Sequence, residues 1–381
     1  MDEHSRHERI WKGLQVIVRP WLCRAFRLEC DPIDVDGPIL LIVNHVTAWD
    51  PLLVAMALKN KYVYYVASEQ LTRIGFAGKL IQWMFAPIPR RKGARSLETV
   101  RGILRHLRAG HSVCLFAEGE QSWDGLSIPV VEGTGSLVRS AGVTTVTYRL
   151  EGAYLSATRW AKGIRKGKVR GRLVGVYDGE TLRQMSTGDN NALLNRDIHE
   201  DAWARQKAEP VAYHGKRLAH CLERLLYLCP QCRGVSTLRS SGSTLNGPCG
   251  LALRYLPTGF LDPPTAFETL TEWDQWQTEQ FHRRSFLHAD DDGPLFADGG
   301  LTLSVIGGGQ EKTLGNGPLI QEKNALACAG RRFELSAIDD MAMTRHNVLL
   351  FSVGDAYYQV RAKGAVNLRK YLEIWKDTKD R

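Results

Sequence analysis

A histidine and an aspartate five residues apart, His45 and Asp50 in NHVTAWD, follow the apolar run ILLIV. On a continuous helix, residues at that spacing point about 140° away from each other and cannot meet. If His45 leaves a strand and Asp50 opens the next helix, the loop between them brings carboxylate back to imidazole. The carboxylate then accepts a hydrogen bond from one ring nitrogen and fixes the tautomer. The other nitrogen is left to take a proton from a substrate hydroxyl, a dyad that needs no serine. A plainer reading competes at each position. Asp50 before Pro51 is also an ordinary helix N-cap, and His45 an ordinary loop histidine.

Three further groups carry chemistry. The stretch FAPIPRRKGARS, residues 85–96, clusters Arg90, Arg91, Lys92 and Arg95, cations suited to an anion. VCLFAEGEQSWDG, residues 113–125, places Glu118 and Gly119 at the end of an apolar run. Cys229 and Cys232 in CPQC, with Cys249 in NGPCG, have the spacing of two zinc knuckles. Asn246 stands where a fourth cysteine belongs, and asparagine is a poor zinc ligand. A ribbon that has lost its metal and keeps its shape by packing is the alternative.

The elements that must position these groups alternate. Runs at 37–45, 62–69, 112–119 and 143–150 read as strands, and stretches at 50–60, 73–86, 96–110 and 133–142 as helices, the one at 73–86 unusually apolar and the one at 96–110 amphipathic. The pattern continues through RLVGVYDG and predicts a final helix near 211–227. The fold class is therefore α/β, a central sheet flanked by helices. Beyond it the expected domains are a ribbon-like segment at 228–262, a helical linker at 263–290 and a small antiparallel β domain with a closing helix at 295–381. In outline that last domain is similar to pleckstrin-homology-like domains.

The order of these blocks is similar to the glycerolipid acyltransferase family, which includes the lysophosphatidic acid acyltransferases. NHxxxxD comes first, then Ile-Pro-Arg, then Phe-x-Glu-Gly, and VEGTGSLVRSAGVTTVTYRL matches a fourth block in part. The C-terminal extensions resemble those of bacterial members. The resemblance implies an O-acyltransferase that moves a fatty acyl group to a lysophospholipid or related glycerolipid hydroxyl. His45 would be the general base and Asp50 its orienter. Asn44, Arg90, Arg91, Glu118 and Gly119 would shape the acceptor site, with the arginines on its phosphate. The implied co-substrate is acyl-CoA or acyl-carrier protein, no cofactor is needed for catalysis, and a structural zinc at Cys229, Cys232 and Cys249 is an open possibility. One departure stands out. Family members commonly carry Glu-Gly-Thr-Arg-Ser, whereas this chain has Glu118-Gly119-Glu120-Gln121-Ser122. Gln121 removes a cation and Glu120 adds a negative charge, which would repel a terminal phosphate.

Among 381 residues, 50 Lys and Arg against 41 Asp and Glu give a net charge of +9, suited to an anionic partner. Residues 10–28 are amphipathic, with Trp11 and Trp21 among Arg9, Lys12, Arg19 and Arg24, as in a helix lying on a membrane surface. Pro20 is expected to kink or divide that helix. The basic run RWAKGIRKGKVRGR, residues 159–172, offers a second anionic-lipid contact through Trp160. No run is long enough to span a bilayer and no secretory signal is visible. The expected location is cytoplasmic, peripheral to the inner face of the membrane. Two other functions stay open: an inactive acyltransferase-fold membrane scaffold, and a nucleic-acid binder built on the ribbon. Nucleic acid is the less expected partner.

Overall fold

The computed structural model describes residues 2–59, 61–72, 75–90, 97–283, 293–307 and 310–380. Arg91, Lys92 and Arg95 lie outside them. The described residues fall into two compact units. One holds residues up to 215 together with 257–259, and the other holds 216–256 and 260 onward.

The strands of the first unit are β1 (Leu28–Cys30), β2 (Ile39–Val43), β3 (Val63–Ser68), β4 (Ile88–Arg90), β5 (Ser112–Phe116), β6 (Thr144–Glu151) and β7 (Val169–Tyr177). They form one sheet in the order β1-β7-β6-β2-β5-β3-β4. Every neighbouring pair is parallel except β6 and β7. At its centre, every residue of β2 and β5 is buried. Continuous apolar runs suit this place, because a parallel strand with helices on both faces has no solvent side. The helices are α1 (Glu3–Phe26), α2 (Asp50–Ala55), α3 (Glu69–Thr72), α4 (Gly75–Phe85), α5 (Leu97–Arg108), α6 (Gly133–Ala141), α7 (Ala153–Ser156), α8 (Gly179–Gln184), α9 (Thr187–Ile198) and α10 (Ala202–Ala208).

One sequence expectation is narrowed here and another fails. Pro20 does not divide α1, which runs on through it. A proline forfeits one backbone hydrogen bond, and the remaining turns carry the helix past it. The helix expected near 211–227 does not form. His214 instead bridges to Lys166, Arg217 and Cys221 have positive φ of 149° and 68°, and only Leu222–Arg224 makes a 3-10 turn.

The second unit begins with β8 (Arg239–Ser241), β9 (Thr244–Asn246), β10 (Ala252–Tyr255) and β11 (Leu261–Asp262), an antiparallel sheet in chain order. After α11 (Leu270–Arg283) come β12 (Phe296–Gly307), β13 (Gln310–Gln321), β14 (Ala325–Cys328), β15 (Arg331–Glu334), β16 (Asp340–Thr344), β17 (Val348–Val353) and β18 (Ala356–Ala362). They build an antiparallel sheet ordered β15-β14-β13-β12-β18-β17-β16, and α12 (Arg369–Asp380) follows. Residues 216–227 pack in this unit. The Gln277 side chain accepts from Tyr227 N at 2.9 Å and donates to Leu225 O at 2.9 Å, so a buried amide serves the backbone of an irregular segment.

Candidate active site

The strand register assembles the site. Pairing of Val43 with Phe116 sets the residues after β2 beside those after β5. His45 and Glu118, each two residues past its strand, therefore become neighbours. They lie beyond the carboxyl ends of parallel strands, where helices and loops leave a crevice in open α/β sheets.

Asp50 is fully buried and its Oδ2 accepts three hydrogen bonds: from His45 Nδ1 at 2.8 Å, Val46 N at 2.7 Å and Thr47 N at 2.9 Å. The carboxylate thus reaches back into the loop instead of capping α2, and the N-cap position is occupied by Trp49. Because the carboxylate accepts, Nδ1 carries the imidazole proton, and Nε2 holds the lone pair. The ring stacks on Phe116 with centroids 4.5 Å apart. Its side chain remains 20% exposed, enough to meet a substrate.

Glu118 braces the same loop. Its Oε1 accepts His45 N at 2.8 Å and its Oε2 accepts Ile128 N at 3.0 Å. Burial pushes its carboxyl up to about 8, against the pull of those two N–H groups. Ser122 N donates to His45 O at 2.9 Å, so the backbone around the imidazole is held from both directions. Asn44 ties β2 to β6. Its buried amide donates to Leu150 O at 3.0 Å and accepts from Leu150 N at 2.8 Å, which is a structural role.

Arg90, the last residue of β4, reaches Gly119. A Cβ added to Gly119 would sit 2.9 Å from Arg90 Nη2, and the glycine has φ of +75°. Both the bend and the close approach of the guanidinium therefore require glycine. His45 thus bonds to Asp50 through its ring and to Glu118 through its backbone, and the next residue, Gly119, lies against Arg90.

Residues 26–151 match the family model described as Acyltransferase. The first unit thus carries a segment similar to the acyltransferase family. A solved structure similar to this chain is that of the 1-acyl-sn-glycerophosphate (LPA) acyltransferase PlsC from Thermotoga maritima. The two are 15% identical with a TM-score of 0.44, over 55% of this chain and 83% of that one.

The first unit resolves the departure at Glu120 and Gln121 through a residue far along the chain. Arg159, almost wholly buried, places Nη1 2.8 Å from Glu120 Oε1 and 2.9 Å from Gln121 O. Its guanidinium lies 4.1 Å from the centre of the Trp123 ring. The charge of Glu120 is therefore paired, and the expected repulsion of an anion is correspondingly smaller. In the sequence Arg159 is visible only as one member of a basic run; nothing local links it to a loop 38 residues earlier.

Within the same run, the indole expected to meet lipid is not available to it. Trp160 is fully buried and its Nε1 donates to Tyr154 Oη at 3.2 Å, while Arg165 lies 4.7 Å over its ring. Lys168 pairs with Glu29, Arg170 with Glu209, and Arg172 with Asp31. Trp11 also departs from expectation. It is only 6% exposed and meets Phe85 edge-on, whereas Trp21 is 47% exposed. Large apolar side chains do stand exposed on two helices: Val16, Ile17 and Trp21 on α1, and Phe76, Leu80 and Trp83 on α4. The rings of Trp21 and Trp49 lie 5.3 Å apart, which connects α1 to the loop between His45 and Asp50. No helix among the described residues is long and apolar enough to cross a membrane.

Proposed function

We propose that the first unit moves a fatty acyl group from a thioester donor, acyl-CoA or acyl-carrier protein, to the free hydroxyl of a lysophospholipid or related glycerolipid. The observation that carries this reading is the His45–Asp50 hydrogen bond at 2.8 Å, with an imidazole open to solvent, inside a segment similar to the acyltransferase family.

The acceptor hydroxyl attacks the thioester carbonyl while His45 Nε2 takes its proton. The buried Asp50 carboxylate stabilises the imidazolium and holds the ring in place. The tetrahedral intermediate collapses, the C–S bond breaks, and the leaving thiolate takes the proton back from His45. Arg90 fits the acceptor's anionic head group, and Arg91, outside the described residues, is its companion in this reading. Glu118 positions the His45 backbone. The exposed apolar side chains of α1 and α4, with Arg9, Lys12, Arg19 and Arg24 also exposed, suit an anionic membrane surface where the lipid substrates reside.

Purified protein incubated with labelled acyl-CoA and a panel of lysolipids tests the proposal. Product that depends on His45 is expected, on lysophosphatidic acid and on a lysolipid with a capped phosphate. Product of unchanged mass and rate from His45→Ala would refute the general base. Strong preference for the capped lysolipid would mean that Arg90 does not hold a terminal phosphate.

A further inference from the structure

The second unit brings together three cysteines distant in sequence. The Sγ atoms of Cys229, Cys232 and Cys249 all lie within 4.8 Å of one another, and those of Cys229 and Cys249 are 3.6 Å apart. All three are free thiols. Three sulfurs bound tetrahedrally to one zinc at about 2.3 Å stand roughly 3.8 Å from each other. The observed spacing accommodates that arrangement.

The two knuckles turn alike. Arg233, directly after Cys232, has φ of +59°, and Gly250, directly after Cys249, has φ of +88°. Arg233 N donates to Cys229 O at 3.0 Å, and Gly250 N to Gly247 O at 3.2 Å.

The two knuckles differ in one ligand. The counterpart of Cys229 in the second knuckle is Asn246, which is exposed and donates its amide to Thr244 Oγ1 at 3.3 Å. Cys232 is exposed and Cys249 half-buried, so one side of the trio faces solvent.

We infer that Cys229, Cys232 and Cys249 form a three-thiolate site for a soft divalent cation, zinc above all, with its fourth position open to a solvent molecule or small exogenous ligand. Binding displaces the remaining thiol protons to solvent and involves no change of oxidation state. The cation clamps the Cys229–Cys232 turn to the loop between β9 and β10. It fixes both ends of a short ribbon that has few buried side chains of its own. This inference is independent of the acyl-transfer reading, because the trio lies in the second unit.

The test uses the full chain, reduced with a phosphine, stripped with a chelator and titrated with Zn2+ or Co2+. One equivalent of zinc per chain is expected to survive gel filtration. Cobalt is expected to give thiolate-to-metal charge-transfer absorption with the visible bands of a tetrahedral ion. Cys249→Ser and Cys232→Ser should each lose the retained equivalent, Cys23→Ser should keep it, and Asn246→Cys should withdraw zinc from a chelator that strips the wild type. Absence of a retained equivalent in the reduced wild type would overturn the inference, as would a cobalt spectrum without the thiolate band. Equal zinc retention after replacement of all three cysteines by serine would do the same. If the serine variants do not fold, the wild-type cobalt spectrum decides alone.

Discussion

Replacing Asp50 by asparagine keeps the side chain's shape and removes its charge. Oδ2 accepts from His45 Nδ1, Val46 N and Thr47 N, while Oδ1 is buried with no hydrogen-bond partner. With the amide oxygen in the place of Oδ2, the three bonds persist as neutral ones, each weaker by about 1 kcal/mol. The NH2 group then occupies the place of Oδ1, a buried donor without an acceptor, at about 1–3 kcal/mol. The opposite rotamer sets NH2 against three N–H donors and is worse. Relief from burying a charge offsets part of this, leaving a net loss of about 2–5 kcal/mol in stability. Turnover has a separate cost. The imidazolium formed during transfer loses its charged partner, about 1.5–3 kcal/mol, which slows the reaction roughly ten- to hundredfold. Initial rates are measured with acyl-CoA and a lysolipid below the melting midpoints of wild type, Asp50→Asn, His45→Ala and the double variant. The double variant should be no slower than His45→Ala alone, because both act through one imidazole. A folded Asp50→Asn within about threefold of wild type would refute the dyad, since that margin is under 1 kcal/mol.

Glu118 has a folded-state carboxyl raised to about 8 by burial, above its ordinary 4.5. The native state therefore holds a proton that the unfolded chain releases, and this contribution to stability falls as pH rises between about 4.5 and 8, by about 1.4 kcal/mol per unit. Urea unfolding at about pH 5 and about pH 8 should show that decline in wild type and not in Glu118→Gln; parallel profiles would exclude it. Arg159→Met removes the partner of Glu120 and the cation over Trp123, and should cost about 3–5 kcal/mol, partly recovered by adding Glu120→Gln. An unchanged melting midpoint would show that the Arg159 contacts contribute nothing to stability. Trp21→Ala and Trp83→Ala should each weaken binding to anionic vesicles by roughly tenfold or more, with high salt releasing the wild type. Trp11→Ala should instead lower the melting midpoint, and equal vesicle binding by all these proteins would refute the membrane-facing assignment. Gly119→Ala forces a Cβ against Arg90 and should raise the KM for a phosphate-bearing acceptor more than it lowers kcat. The opposite split would separate Arg90 from acceptor binding.

The sequence by itself determined the strands β2, β3, β5, β6 and β7, the helices α2, α4, α5 and α6 among them, the loop that joins His45 to Asp50, and the resemblance to the acyltransferase family. These are local properties. An apolar run buried on both faces, a turn at its end and a fixed spacing of polar residues survive in one dimension. The knuckle spacing of Cys229 and Cys232 was legible for the same reason. Tertiary structure decided what depended on partners far along the chain. Only the β2–β5 register makes Glu118 a brace for the backbone of His45, and only the packing of Arg159 on Trp123 shows where Glu120 finds its countercharge. Trp11 and Trp21 both read as indoles among cations, but one faces Phe85 and the other is half exposed. Trp160 looked like a membrane anchor among cations until burial closed it. Composition specifies that a charge or an indole needs a partner; the fold chooses between protein and solvent.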